Sequence, residues 1–360
     1  MSCRTPSEAK AVSAQRARNN SVKIIRRGLG VPRLFAYFRL LFNRYLIKTE
    51  KVTKVNIFLP EGRLAYTPEN IQNIEFLKRT DKQAPPKAIM EARAVLCDAG
   101  HNLHVDLNGL KGIIPREECI LNDTPSNKEI AVISRVNKPV MFIPTEYITL
   151  EDGERAVLLS RKKAQQFVRE SYIDLLENGE IIEATVTRIE SFGAFCDIGA
   201  GISALLPIDN ISVSRIPHPG ARFSNGDKIK AIVKSRDEYG RIVLSHKELL
   251  GTWEENAALF SPSETVPGIV RSVEEYGIFI ELTPNLAGLA EFENGVSNGQ
   301  HASVYIKSIN PNKMKIKLVI VDCFASDYPP TAPKYFIESG KITHWVYSPL
   351  NCDKKIETFF

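Results

Sequence analysis

A short aromatic motif returns in this chain, and its spacing constrains the fold more than any bulk property does. Residues 190–198 read ESFGAFCDI, in which Phe192 and Phe195 flank a glycine and an alanine. Residues 274–282 read EEYGIFIEL, and residues 100–107 read GHNLHVDL, with histidines at both aromatic positions. Recurrence at such intervals indicates an array of small domains.

Short strand patterns surround each copy of the motif. In residues 87–162, alternating apolar segments separated by turn signals such as Asn108-Gly109 predict five strands. Residues 179–247 and 261–321 repeat this series of short segments. Five strands in so few residues predict a small closed barrel. The expected fold class is therefore mainly β, with three tandem five-stranded barrels joined by short helices.

The segments between the barrels have patterns of their own. Residues 55–86 are interpreted as a short helical preamble and linker, because Thr67-Pro68-Glu69 has the residue types of a helix N-terminus. Residues 163–178 and 248–260 are predicted to be linker helices. Residues 322–360, rich in proline and aromatic residues, are expected to form an irregular tail packed on the last barrel.

The first 54 residues form a basic leader with 13 Lys+Arg against two Asp+Glu. Three interpretations stay open. The leader is an amphipathic arm for a membrane surface or RNA, an organellar transit peptide, or a disordered or artefactual extension upstream of a native start near Val52 or Val55. The remainder of the chain is mildly acidic, so RNA contact there requires a local basic face.

Several classes of function have no support in the sequence. Six scattered cysteines without a C-x-x-C pair favour reduced thiols in a cytoplasmic protein over a zinc site or disulfides. The sequence contains no run of 18 apolar residues, so it predicts no membrane span. No nucleophile–base pair or phosphate loop is present, and His101-x-x-His104 lacks further metal ligands. We expect no catalysis, cofactor, metal, membrane contact or small-molecule substrate.

The ring pair of the motif is suited to base stacking. A spacing of three places Phe192 and Phe195 on opposite faces of a regular strand, so Gly193 is expected to form a bulge or tight turn that brings both rings to one face. Each stacked base contributes roughly 1–3 kcal/mol and requires no particular sequence. The alternative is that one or both rings belong to the core.

Lysines alternate on strands next to the rings and are expected to follow a phosphate backbone, although such alternation also occurs on a merely solvated face. In the second repeat they are Lys228, Lys230 and Lys234, and in the third Lys307, Lys313, Lys315 and Lys317.

The second repeat resembles the S1 RNA-binding domain, the oligonucleotide-binding (OB-fold) barrel repeated in the largest protein of the small ribosomal subunit. The whole chain from residue 59 onward resembles a clostridial-type bacterial protein built from such domains. The resemblance implies an RNA-contacting surface of two aromatic residues, a histidine, an aspartate and an arginine. In the second repeat these positions hold Phe192, Phe195, Pro207, Asp237 and Arg241.

The other repeats match that surface less well. In the third repeat the resemblance assigns Tyr276, Phe279, Glu291, Asn310 and Lys315 to the same positions. In the first repeat it assigns His101 and His104 to the aromatic positions and Pro115 to the histidine position, and the last two positions do not align cleanly. The second repeat is therefore expected to bind best and the third less well. The first is expected to be mainly structural or a protein contact.

The expected function is binding of single-stranded RNA, messenger RNA in particular, in translation, with the small ribosomal subunit as a candidate partner. Two alternatives stay open. One is an accessory RNA-binding subunit of an RNA decay or transcription machinery. The other is a ribosome-docking protein whose first barrel contacts protein.

Overall fold

The computed structural model describes residues 58–80, 84–121, 128–325 and 332–360. The prediction of a basic leader over residues 1–54 lies outside these described residues. Within the described ranges, three closed five-stranded barrels follow one another along the chain. The predicted mainly β fold of tandem oligonucleotide-binding barrels is confirmed.

The strands of the first barrel are β1 (Met90–Cys97), β2 (Leu103–Asp106), β3 (Lys111–Ile114), β4 (Pro139–Thr149) and β5 (Arg155–Ser160). The barrel closes in the strand order β1-β2-β3-β5-β4, with only β3 and β5 parallel. Its core side chains come from alternate strand positions such as Leu103, Val105 and Ile114, because successive residues of a strand point to opposite faces.

The second and third barrels repeat the same topology, including one parallel pair each. The second contains β6 (Ile181–Glu190), β7 (Gly193–Asp197), β8 (Ser203–Pro207), β9 (Lys228–Arg236) and β10 (Ile242–Ser245). The third contains β11 (Thr265–Glu274), β12 (Gly277–Thr283), β13 (Leu286–Ala290), β14 (His301–Asn310) and β15 (Lys315–Phe324). The last strand therefore continues past residue 321, where the repeat was expected to end.

In the described ranges, α1 (Pro68–Arg79) precedes the first strand, and α2 (Lys128–Ile133), α3 (Arg161–Ser171) and α4 (Trp253–Ala257) lie between strands. Helix α1 begins as the sequence predicts, with the Thr67 side chain accepting a hydrogen bond from Asn70 N. Its inner side chains, Ile74 and Leu77, pack into the core of the first barrel.

Both linker helices differ from the prediction. Helix α3 starts before residue 163 because Ser160 caps it, and it ends at Ser171, where Tyr172 leaves the helical conformation and its ring stacks on Phe58. The segment 248–260 contains only the short α4, because Gly251 adopts a positive φ of 83° and separates α4 from the preceding 3-10 turn. A Cβ at Gly251 would lie 2.7 Å from the Phe336 ring, so no other residue fits there without a shift.

The C-terminal segment is not an irregular tail on the last barrel alone. It contains a two-stranded sheet of β16 (His344–Val346) and β17 (Glu357–Phe359). Trp345 and Tyr347 pack in the core of the third barrel, as expected. The segment also binds the second barrel, where Phe336 N donates to Leu249 O at 2.9 Å and Ile181 N donates to Gly340 O at 3.0 Å. These contacts are long-range pairings for which the local pattern gives no signal.

Candidate nucleic-acid interface

The two phenylalanines of the motif form an exposed ring pair on the second barrel. Phe192 lies in the turn before β7 and is 53% exposed, and the half-buried Phe195 lies on β7 itself. Their ring centroids are 6.0 Å apart, with an angle of 88° between the ring planes. We refer to this pair, and to the matching pair of the third barrel, as the ring platform.

Gly193 supports the platform in a different way from the one predicted. The bulge lies in the partner strand β6, between Val186 and Arg188, not at the glycine. Gly193 instead permits close approach of β8, because a Cβ there would lie 2.5 Å from Leu206 O. The glycine thus makes room for the neighbouring strand, and the turn position of Phe192 brings its ring beside Phe195.

The third barrel carries the same platform. Tyr276 is 72% exposed, and its ring centroid lies 6.0 Å from that of Phe279 at an interplanar angle of 83°. Gly277 has a φ of 146°, and a Cβ there would lie 2.5 Å from Ala290 O. The shared glycine requirement explains why the motif repeats with this residue in register.

Strand pairing places a cation on the same face as each platform. Phe195 pairs with Leu205, which lies beside Val243 of β10. Arg241 precedes Val243 by two residues and therefore faces the same way. In the third barrel Phe279 pairs with Leu289 and Leu289 with Lys317, so Lys315 occupies the place of Arg241. By the same register Asn310, opposite Lys315, takes the place of Asp237.

Asp237 holds the Arg241 side chain in position. The Nε of Arg241 donates to Asp237 Oδ2 at 2.7 Å, while Oδ1 accepts from the backbone nitrogens of Tyr239 and Arg241. Desolvation works to raise the pKa of Asp237, but the hydrogen bonds from Arg241 and Tyr239 outweigh it and hold this pKa below its usual value. The carboxylate therefore stays ionised and keeps an exposed guanidinium oriented on the face.

The three lysines predicted to form a row on β9 differ in their surroundings, because two of them have side-chain partners. Lys228 is exposed, but Lys230 donates to Glu338 Oε2 at 2.8 Å and lies over the Tyr335 ring of the C-terminal segment. Lys234 donates to Asn210 Oδ1 at 2.8 Å. Strand β9 pairs with β6 and β10, so it is not a neighbour of β7. That these lysines follow a phosphate backbone stays a prediction, and in this structure the Lys230 charge is paired with the exposed Glu338.

The first barrel lacks the features of a ring platform with a cation. His104 takes the place of Phe195, and its Nε2 lies 3.0 Å from Asp98 Oδ2. Burial works to raise the pKa of Asp98, but hydrogen bonds from Asn102 and His104 lower it to about 2. His101 lies 3.8 Å from Glu129. The His104 imidazole is therefore held by a carboxylate, and the His101 imidazole lies near one without a hydrogen bond to it.

Strand register also supplies the two positions that the sequence leaves unaligned in the first barrel. His104 pairs with Ile113, which lies beside Leu158 of β5. Ala156, two residues earlier, therefore takes the place of Arg241, and its partner Ile148 takes the place of Asp237. At these two positions the first barrel therefore has neither an arginine nor an aspartate.

The sequence alone does not indicate a role for the acidic residue near the end of the motif in the second and third barrels. Asp197 and Glu281 both lie two residues after the second ring of a platform, and both are buried. Asp197 accepts hydrogen bonds from Glu61 N and Gly199 N at 2.8 Å and from Gly201 N at 3.0 Å. Burial, together with the nearby Glu61 carboxylate, raises the pKa of Asp197 to about 7.

These two acids join neighbouring parts of the chain. Glu61, from the segment before the first barrel, pairs with the buried Arg161 of α3 at 2.7 Å while its backbone binds Asp197. Burial works against this carboxylate, but Arg161 and then Arg135 lower the pKa of Glu61 below its usual value. Asp197 therefore joins the second barrel to the segment before the first barrel, and Glu281 joins the third barrel to Arg222 of the second. In the sequence, the signal for these buried acids is the apolar–acidic–apolar pattern at the end of the motif.

Comparison with known proteins agrees with this geometry. The sequence of residues 175–247 matches the family described as the S1 RNA binding domain. The matched segment contains the whole second barrel, with its platform, Asp237 and Arg241.

Curated relatives of the chain are ribosomal proteins. It is 30% identical over 236 residues to small ribosomal subunit protein bS1 of Leuconostoc lactis, covering 60% of this chain and 52% of that protein. It is 31% identical over 188 residues to the bS1 protein of Staphylococcus epidermidis, covering 48% of each. The chain thus spans about half the length of these relatives.

The chain is also similar to a solved structure of a multidomain protein with nucleic acid binding domains from Streptococcus pneumoniae. The match covers 66% of this chain and 74% of that protein's chain, at 14% sequence identity and a TM-score of 0.23.

Among the residues that the structure describes, none of the helices combines the length and the apolar character that a membrane span needs. In the same ranges, no three His, Cys, Asp or Glu side chains are grouped to hold a metal ion.

Proposed function

We propose that this chain binds single-stranded RNA, messenger RNA in particular, by stacking bases on the ring platforms of its second and third barrels. The observation that carries the proposal is the recurrence of an exposed ring pair with a cation on the same face. The two sets are Phe192 and Phe195 with Arg241, and Tyr276 and Phe279 with Lys315. Rings accept bases of any sequence, while the cations supply phosphate contacts.

The arrangement of the barrels supports simultaneous binding of one RNA strand. Arg222 of the second barrel and Glu281 of the third form a buried ion pair. A strand bound at one platform is therefore presented to the other at a high effective concentration, which raises the overall affinity without new contacts. Two modest sites in tandem then suffice for tight binding.

A role in translation is proposed from the relatives. The proteins of similar sequence are named as components of the small ribosomal subunit, which favours association of this chain with that subunit in the cytoplasm. The matched domain is described as RNA binding, and we propose a binding role without catalysis.

A second candidate function, protein docking, is favoured by the first barrel. Its face has Ala156 where the second barrel has Arg241, and Glu146 where the second barrel has Ser235. Val95 and Leu96, at the bulge of β1, are exposed apolar side chains beside His104. The exposed Glu146 and the two exposed apolar side chains favour a protein partner over a phosphate backbone.

A titration of the whole chain with a labelled single-stranded oligoribonucleotide and with its duplex tests the RNA proposal. We expect binding to the single strand and much weaker binding to the duplex, whose bases are already stacked. Equal affinity for the two would contradict the proposal.

Sedimentation of a native lysate then distinguishes the settings. Cosedimentation with small ribosomal subunits supports a role in translation. Cosedimentation with an RNA decay or transcription complex, and not with ribosomal subunits, contradicts it.

A further inference from the structure

The turn between β9 and β10 presents an aromatic ring that is not part of the platform. Tyr239 is 71% exposed, and the guanidinium carbon of Arg241 lies 5.0 Å from its ring centroid. The turn is fixed at both ends, because Gly240 N donates to Asp237 O and Asp237 N donates to Arg241 O, each at 2.9 Å. Tyr239 N also donates to Asp237 Oδ1 at 3.0 Å. A fixed backbone therefore presents this ring to solvent.

Strand register places this turn at the opposite end of the face from Phe192. Along the β7–β8 pair, Gly193 pairs with Pro207 at the end next to Phe192, and Asp197 pairs with Ser203 at the other end. Strand β10 runs parallel to β8, so its first residues lie toward the Ser203 end. The face thus runs from Phe192 through Phe195 and on to Arg241 and Tyr239.

Neither of the other barrels has a ring at this place. The corresponding turn of the third barrel, residues 311–314, reads PNKM, and that of the first, residues 150–154, reads LEDGE. The second barrel therefore has an aromatic side chain where the third has polar and aliphatic ones and the first has acids.

We propose that Tyr239 is a third base-stacking residue of the second barrel, so that this barrel contacts one more base than the third does. The inference rests on the proposed RNA-binding function. An exposed ring beside an oriented guanidinium offers a surface for a base and a cation for the adjoining phosphate. In oligonucleotide-binding barrels the loop between strands four and five borders the ligand-binding face, and Tyr239 lies in that loop.

Anisotropy titrations of the whole chain with a fluorescein-labelled oligouridylate test this assignment. Tyr239→Ala is expected to raise Kd by roughly five-fold or more, the lower end of the range for one stacked base. Tyr239→Phe keeps the ring and is expected to leave Kd unchanged. Tyr66→Ala is the matched control, because Tyr66 is 91% exposed and lies before the first barrel, outside any platform.

Two further comparisons make the result decisive. If Tyr239→Ala weakens binding again in an Arg241→Ala background, the ring itself contacts RNA. If it has no effect in that background, Tyr239 only positions Arg241 and the assignment is overturned.

The proposed function has its own readout in the Phe192→Ala, Phe195→Ala variant. Loss of binding in that variant with an unchanged Tyr239→Ala overturns this inference alone. Unchanged binding in both overturns the proposed function as well.

Discussion

Arg222 of the second barrel reaches Glu281 of the third, with its Nη1 2.7 Å from Oε1; the Glu281 side chain is buried and that of Arg222 is 9% exposed. Arg271 of β11 binds the same carboxylate through its Nε at 2.8 Å. One acid therefore receives two guanidinium groups at the junction, two residues along β12 from Phe279. The junction between the second and third barrels therefore lies next to the ring platform of the third barrel.

Replacement of this acid is expected to destabilise the junction. Glu281→Gln leaves two buried arginines without their counter-charge, and loss of one partner of a buried pair costs about 3–5 kcal/mol. Urea unfolding measures the loss. Asp237→Asn, which breaks the exposed pair with Arg241, is the matched control and is expected to cost much less. Equal effects of the two variants would contradict the role of Glu281.

The three barrels are expected to differ in their contribution to RNA affinity. Tyr276→Ala with Phe279→Ala should weaken binding less than the corresponding change in the second barrel, which has the fixed Arg241. His101→Ala with His104→Ala should have no measurable effect, because His104 is hydrogen-bonded to Asp98 and the first barrel has Ala156 at the position of Arg241. Anisotropy titrations with one oligouridylate measure all three. If the histidine variant bound RNA as weakly as the phenylalanine variant of the second barrel, this ranking would be contradicted.

Salt dependence tests the phosphate contact of Arg241. Each phosphate that a protein neutralises on a single strand contributes about 0.7 to the slope of log affinity against log salt. Arg241→Ala should therefore reduce that slope by about 0.7. Lys111→Ala in the first barrel, whose ammonium pairs with Glu154, is the control and should leave the slope unchanged. An unchanged slope for Arg241→Ala would show that this side chain does not contact phosphate.

A buried histidine gives the second barrel an acid-sensitive contact. His246 Nδ1 lies 3.0 Å from Ile211 O and Nε2 lies 3.2 Å from Tyr335 Oη. Burial is the main cause that lowers the pKa of His246 to about 4. A depressed histidine pKa contributes stability that is present above about pH 6.5 and is lost as pH falls through about 4. Compared with His246→Gln, the native chain should lose unfolding free energy across that interval, and parallel curves would contradict this.

Asp197 provides a control of opposite sign. Because burial raises its pKa to about 7, its contribution to stability is present at low pH and is lost as pH rises through about 7. The difference in unfolding free energy between the native chain and Asp197→Asn should therefore run the other way with pH. If both differences in unfolding free energy changed in the same direction with pH, the direction assigned to at least one of the two pKa shifts would be wrong.

The barrels and the platforms could be predicted from the sequence because both depend on local signals. Two-residue alternation marks the strands, and the glycine between Phe192 and Phe195 marks a close approach of strands that the repeat preserves. The engagement of Lys230 could not be predicted, since Glu338 and Tyr335 come from the far end of the chain. The same holds for the contacts of Asp197 with Glu61 and of Glu281 with Arg222, which join segments far apart in the sequence.

The central claim is that the ring platform of the S1 domain binds single-stranded RNA by stacking. Its most direct test is the Kd of the Phe192→Ala, Phe195→Ala variant for a labelled oligouridylate. Phe192→Leu with Phe195→Leu keeps apolar volume without rings, and Tyr66→Ala is the exposed-tyrosine control. The claim predicts a rise of about ten-fold or more in Kd for both phenylalanine variants, with native unfolding curves and an unchanged control. A Kd equal to that of the native chain in both variants would contradict it.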